Sequence, residues 1–253
     1  MKIETILSPA ELPALAQRDL SATACVVFDI LRATSTFVTA LQNGAQAVIP
    51  VSEISEASAL RQRRPDLLLA GERDGVKIRA AQSGGLDFDF GNSPREFIPE
   101  KIGGKTIAST TTNGTRALRA CAGAKSVLAA SFLNLAVTAD FLRRKHFTAV
   151  LLICAGTGEG VALEDVLAAG ALVKILAAGA DVPAVVSDAT ETARRTFLSA
   201  EADLPAVFSR SQNARRLLAI PELHADVAFC LQRDISDVVA ELDADGALRS
   251  RKP

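Results

Sequence analysis

Six consecutive apolar residues, Ala149-Val150-Leu151-Leu152-Ile153-Cys154, stop abruptly at Ala155-Gly156-Thr157-Gly158-Glu159-Gly160, and a long helical pattern follows from about Leu163 to Ala178. An unbroken apolar run of this length reads as a strand buried on both faces, which requires helices on both sides of a sheet. The unit recurs along the chain. Cys25-Val26-Val27-Phe28 is a buried-type strand ending at Asp29, with a helix from about Thr34 to Asn43 closed by Gly44 and a strand at Ala47-Val48-Ile49. Ser8-Pro9-Ala10-Glu11 reads as a capping box opening a short helix, and Ser52 as the cap of a helix reaching about Arg64. Leu67-Leu68-Leu69, Thr106-Ile107-Ala108 and Ser126-Val127-Leu128-Ala129 are further strands. A helix from about Leu133 to Arg144, two helices after Asp188 and a late strand at Val227-Ala228-Phe229-Cys230 complete the pattern. This alternation predicts an α/β chain with a parallel or mostly parallel sheet.

A shift of 79 residues lays Thr36 on Thr115, Gly44 on Gly123, Ala45 on Ala124 and Val48 on Val127, a weak echo compatible with duplication or with chance likeness of two βαβ units. Residues 71–104 are glycine-rich and polar and form the longest irregular segment, a kind of loop that is often functional.

Composition narrows the functional classes. With 253 residues, 49% hydrophobic and 23% charged, the chain is of ordinary globular type, and its net charge of -1 leaves no electrostatic footprint for nucleic acid or an anionic membrane. The cysteines, Cys25, Cys121, Cys154 and Cys230, have no metal-knuckle or redox spacing, and only two histidines occur. The start MKIETILSPAELPALAQ lacks a signal-type apolar core, and no apolar run would span a bilayer, so a cytoplasmic location is expected.

Lys105 to Ala120, KTIASTTTNGTRALRA, is a strand, a loop full of hydroxyls and a helix start carrying Arg116. Free backbone N–H groups at a helix start, with hydroxyls and a guanidinium around them, suit an anion. In open parallel sheets ligands collect beyond the carboxyl ends of the strands. Four loops fit that description: Asp29 to Thr36, Gly71 to Gly75, the Thr-rich loop, and Gly156 to Asp165. They offer Asp29, Glu72, Asp74, Glu159, Glu164 and Asp165 as oxygen ligands and Arg32, Arg73 and Arg116 as cations. Carboxylates without a histidine or thiol cluster suit Mg²⁺, and arginines suit phosphate. Each feature also has a plain structural reading. Asp29 could be a turn residue, Glu164 and Asp165 could serve a helix dipole, and the threonines could cap a turn.

Competing motifs fail. There is no GxxxxGK[ST], the glycines after Cys154 have the wrong spacing for GxGxxG, Leu31 stands where a DxD phosphatase needs its second acid, and no GxSxG elbow occurs.

The set FDILRATST (Phe28–Thr36), AGERDG (Ala70–Gly75), FGNSPREF (Phe90–Phe97), STTTNGTRAL (Ser109–Leu118) and CAGTGEGVALEDVLAAG (Cys154–Gly170) resembles the 2-phosphosulfolactate phosphatase family. The motifs stand in the family's order over roughly residues 24–175. The resemblance implies a three-layer α/β/α fold whose internally duplicated, intertwined core makes a single unit of residues 1–253. It also implies Mg²⁺-dependent hydrolysis of 2-phosphosulfolactate to sulfolactate and phosphate, a step in coenzyme M biosynthesis.

On this reading Mg²⁺ is held by some of Asp29, Glu72, Glu164 and Asp165. The loop Thr110, Thr111, Thr112, Asn113, Gly114 and Thr115, with Arg116 and Arg32, cradles the phosphoryl group. The nucleophile is a metal-activated water or, alternatively, Asp29 itself. The partner is a small phosphorylated molecule, and the sequence is compatible with a homodimer. The rival reading is a non-catalytic binding protein for a phosphorylated or sulfonated metabolite.

Overall fold

Eleven strands form one sheet in a computed structural model of the chain, which describes residues 1–73, 75–145, 147–178 and 185–251. In chain order they are β1 (Lys2–Ile6), β2 (Thr23–Phe28), β3 (Ala47–Val51), β4 (Leu68–Arg73), β5 (Val76–Lys77), β6 (Thr106–Thr110), β7 (Ser126–Ala130), β8 (Ala149–Cys154), β9 (Val185–Val186), β10 (Val239–Leu242) and β11 (Leu248–Arg251). Their spatial order is β5-β4-β6-β3-β11-β10-β7-β2-β8-β1-β9.

The central strands are buried on both sides, as an apolar run without alternation requires. On β8, Val150, Leu152 and Cys154 enter one core while Leu151 and Ile153 enter the other; Ala24, Val26 and Phe28 of β2 oppose Cys25 and Val27 in the same way. The first core is roofed by the helices Leu135–Arg144, Leu163–Ala178 and Asp188–Ala200, and the second by Ala33–Gln42 and Gly114–Ala120. Three layers result. Fully burying one side chain such as Phe28, Phe132 or Phe197 contributes roughly 1.5–3 kcal/mol. No helix among the described residues is long and apolar enough to cross a membrane.

The chain path crosses itself in an ordered way. From β2 the chain passes through the helix Ala33–Gln42 to β3, in the other half of the sheet. From β6, beside β3, it returns through Gly114–Ala120 to β7, beside β2. Within each half the neighbours β2, β7, β8 and β1, or β3, β6 and β4, are parallel. The antiparallel hairpin β10–β11 lies between the halves, pairing with β7 on one side and β3 on the other.

Several local expectations need correction. Val227–Cys230 is not a strand but the end of the helix His224–Cys230: Val227 and Cys230 are buried while Ala228 is exposed, a spacing of three that a short apolar run does not distinguish from a strand. The closing strands are instead β10 and β11, joined by Asp243-Ala244-Asp245-Gly246, where Gly246 takes φ 80. Glu53, not Ser52, occupies the N-cap position of the helix Ile54–Arg63, without a side-chain capping bond, and the Ser52 N–H donates to Glu56 Oε2. The Ser8 capping box is present but opens a 3₁₀ helix, Pro9–Gln17, with Pro13 inside it. Residues 71–104, expected to be irregular, include the end of β4, β5 and the short helical turns Ala80–Ser83, Pro94–Glu96 and Pro99–Ile102, and bury Phe88, Phe90 and Phe97.

Candidate active site

Turns tied by hydroxyls deliver the first functional group. Where β2 ends, Thr34 Oγ1 donates to the Asp29 carbonyl (2.9 Å) and accepts from the Asp29 N–H (3.0 Å), and Ser35 Oγ donates to the Ile30 carbonyl (2.9 Å). Asp29 Oδ1 accepts the N–H of Ala33 at the start of the following helix (3.0 Å). Oδ2 faces Gly114, at the start of the helix after β6. Burial pushes the Asp29 carboxyl up to about 7, and the charges of Glu72 and Glu164 push the same way, against the Ala33 N–H and Arg32.

The four loops following β2, β4, β6 and β8 line one cleft of about 270 Å³. β2 contributes Asp29, Leu31 and Arg32, and β4 contributes Glu72 with Gly75 after it. From the Thr-rich loop come Thr111, Thr112 and Asn113. Gly156, Thr157 and Gly158 follow β8. Loop-to-loop bonds hold these walls together. Glu72 Oε1 accepts both the N–H and the hydroxyl of Thr112 (3.1 Å each), and its Oε2 accepts the Gly75 N–H (2.7 Å). Asn113 Nδ2 donates to the carbonyls of Ala155 (2.7 Å) and Gly158 (2.9 Å). Gly156 has φ 72, and a β-carbon there would stand 2.3 Å from the Gly160 carbonyl oxygen, so the loop closes only with glycine.

The remaining expected residues divide. Asp165 is a tie: Oδ1 accepts the Ile30 N–H (2.8 Å) and Oδ2 the Gly156 N–H (2.9 Å), joining the ends of β2 and β8. Burial raises its carboxyl well above the ordinary range, with Glu164 and Asp29 adding to the effect. Glu164 is buried; Oε1 accepts from Asn213 Nδ2 (2.6 Å), and Oε2 has no partner among the described residues. Arg32 is only 3% exposed and spans two anchors, Asp226 Oδ2 (2.7 Å) and the Gly75 carbonyl (2.8 Å).

Thr110 turns from the cleft, donating to the Ser52 carbonyl and accepting from Arg73. Thr115 Oγ1 donates back to the Thr111 carbonyl (2.9 Å), and Gly114 serves as the close contact to Asp29. Arg116, expected in the cradle, is half-exposed in an ion pair with Glu159 and is not among the cleft-lining residues. Asp74 lies outside the described residues.

Asn92 falls inside the motif Phe90–Phe97 without being singled out there, and Asp226, Asn213 and Arg216 escape a reading of the sequence. Asn92 lines the cleft, and its buried Oδ1 has no partner among the described residues. Asp226, fully buried, accepts from Arg32, Ser93 Oγ (2.7 Å) and Arg95. Asn213 and Arg216, on the helix Gln212–Leu218, complete the cleft. Only the spacing of Asn213, Arg216 and Leu217 on one helical face could flag the last two.

Among the described residues no three carboxylate, histidine or cysteine side chains form a ready-made metal cage. Mg²⁺ does not require one, since it takes one or two carboxylates and completes its shell with water and phosphate oxygens. The donor set fits such an ion: Asp29, whose carboxyl the charges of Glu72 and Glu164 push up, lines the cleft, and Glu164 Oε2 has no partner among the described residues.

A three-layer α/β/α sheet with a carboxylate-and-arginine cleft beyond its strand ends defines the class as an α/β/α protein whose candidate site lies where ligands of such sheets collect. A family model described as 2-phosphosulpholactate phosphatase matches residues 9–245, and the chain belongs to that family of phosphoric monoester hydrolases. A probable 2-phosphosulfolactate phosphatase of Thermotoga petrophila is 42% identical over 217 residues, covering 86% of this chain and 88% of the relative. Its namesake in Thermotoga maritima is 41% identical over the same shares, and one in a Synechococcus strain is 36% identical over 89% of this chain and 90% of its own.

Proposed function

We propose that the chain hydrolyses 2-phosphosulfolactate, or a closely related 2-phospho acid, to the free hydroxy acid and inorganic phosphate, with Mg²⁺, as in a step of coenzyme M synthesis. The observation that carries this reading is the cleft itself, which the raised carboxyl of Asp29 lines together with Arg32, Thr111, Thr112 and Asn113. Family membership supports the substrate class.

Water supplies the attacking oxygen, the phosphorus–oxygen ester bond breaks, and the alcohol oxygen leaves with a proton. Without an ion, burial pushes the Asp29 carboxyl up to about 7; with Mg²⁺ held on it the group would be ionised and would act as a ligand. Arg32, fixed by Asp226, presents a guanidinium edge to charge that spreads over the phosphoryl oxygens. Asp29, which lines the cleft, is the residue through which Mg²⁺ would be held, with Glu164 Oε2 as a further donor, and the ion would supply positive charge against the phosphoryl oxygens. Asp165, with both oxygens committed to backbone N–H groups, serves as the tie between loops.

The test is phosphate release from 2-phosphosulfolactate and 2-phospholactate, with Mg²⁺ and then with EDTA. Release that EDTA abolishes is expected. No release from either compound would overturn the hydrolase, release indifferent to EDTA would remove the metal, and a trapped aspartyl-phosphate at Asp29 would replace water as the nucleophile.

A further inference from the structure

The helix Gln212–Leu218 is fixed against the cleft at several points. Ser211 Oγ caps it by accepting the Ala214 N–H (3.2 Å), and Leu217 is sunk in the core at 4% exposure. Asn213 Nδ2 bridges Thr157 Oγ1 and Glu164 Oε1 at 2.6 Å each. Positions three and four apart share a helical face. The anchors at Asn213 and Leu217 therefore determine where the side chain between them goes, and Arg216 lines the cleft.

Arg216 lies over the backbone of Gly75, where a β-carbon would stand 2.8 Å from its Nη2. The Gly75 carbonyl accepts from Arg32 Nη2, and the Gly75 N–H donates to Glu72 Oε2. Two guanidinium groups thus flank one residue's backbone. The inner one, Arg32, is buried and committed to Asp226, whereas the outer one, Arg216, is exposed. The other arginines of the region are also engaged: Arg73 donates to the Glu72 carbonyl and Thr110 Oγ1, and Arg116 pairs with Glu159.

A cleft holding Asp29 and Glu72 repels a ligand that carries a second anionic group besides its phosphate, unless a cation receives that group. A guanidinium fork matches the paired oxygens of a carboxylate or sulfonate. We propose that Arg216 is the specificity-determining residue of this site, receiving the second anionic group of a small 2-phospho acid while the phosphoryl group lies against Asp29 and Thr111–Asn113. This inference rests on the hydrolase reading for its substrate class.

The experiment compares wild type, Arg216→Ala and Arg216→Lys on 2-phosphosulfolactate and on phenyl phosphate, which has no second anion. The ratio of kcat/KM for the first over the second is expected to fall at least tenfold in Arg216→Ala, through KM, and to recover in part with lysine. An unchanged ratio overturns the proposal. Calorimetric titration with sulfolactate judges the subsite without turnover: at least tenfold weaker binding to Arg216→Ala than to wild type is expected, and equal or absent binding to both overturns it. Wild type that binds sulfolactate in this way but releases no phosphate would overturn the hydrolase reading alone.

Discussion

Gly114 stands against Asp29 so closely that a β-carbon on it would lie 2.6 Å from Asp29 Oδ2, and equally close to the Ala33 side chain. The helices following β2 and β6 approach each other through this contact, and the carboxyl sits between them.

Gly114→Ala should therefore push apart the two helix starts that frame Asp29. Overpacking of this kind costs about 1–3 kcal/mol, readable as a lowered urea midpoint. Displacing a catalytic group by an ångström lowers rates on the order of a hundredfold, so kcat/KM should fall far more than the loss of fold. Wild-type kcat/KM in Gly114→Ala would show that the contact does not position Asp29.

Asp29 should impose a pH dependence on stability in metal-free protein. Its carboxyl ionises near 3.8 in the unfolded chain and at about 7 in the folded one, so folding takes up a proton between those values. Stability from this group is greatest at the acid end and falls as pH rises from about 4 to about 7, by on the order of 1–4 kcal/mol. Asp29→Asn removes that slope, and the difference in Tm between variant and wild type should grow across the window. Added Mg²⁺ should flatten the wild-type slope and leave the variant unaffected; a shift of equal size in both would place the ion elsewhere.

Asp226→Asn would leave the Arg32 guanidinium, 3% exposed, without its counter-charge. Removing one partner of a buried pair costs about 3–5 kcal/mol. Denaturant unfolding should show a loss of that order, with a fall in kcat/KM as Arg32 loses its anchor. A loss below about 1 kcal/mol, the range of exposed pairs, would mean that the pair is hydrated in solution.

Asp165→Asn keeps one acceptor where the protein uses two. The new amide would face an N–H, from Ile30 or Gly156, and leave a buried donor unsatisfied. The expected destabilisation is about 1–3 kcal/mol, measured by thermal unfolding. An Asn variant of wild-type stability would show that one of these two bonds contributes nothing.

What is legible in the sequence follows from how each signal arises. β2 and β8 declare themselves because burial on both faces leaves no polar residue to interrupt them, and they feed Asp29 and the Gly156–Gly158 turn into the cleft. The helix His224–Cys230 passes for a strand because a four-residue apolar run has no period of its own. β10 and β11 escape notice because each is four residues long and β11 carries a single apolar residue, Leu248, although Asp245-Gly246 marks the turn. Arg116 is expected beside the phosphate on proximity along the chain. A helix turns about 100° per residue, which carries Arg116 about 200° round from Gly114, away from Asp29 and toward Glu159. Arg216 and Asp226 are invisible as site residues because nothing near them in sequence is a motif; tertiary folding alone brings them to Gly75 and Arg32.

The hairpin β10–β11 is the hydrogen-bonded link between the two halves of the sheet, and it comes after every residue that lines the cleft. A ribosome making this chain has thus released both walls of the cleft before it releases the strands that join them. Translation stopped anywhere between Leu217 and Val239 would yield a polypeptide that carries every cleft-lining residue but lacks the seam that unites its sheet. The two halves of the sheet are in this sense joined only after both walls of the cleft have been made.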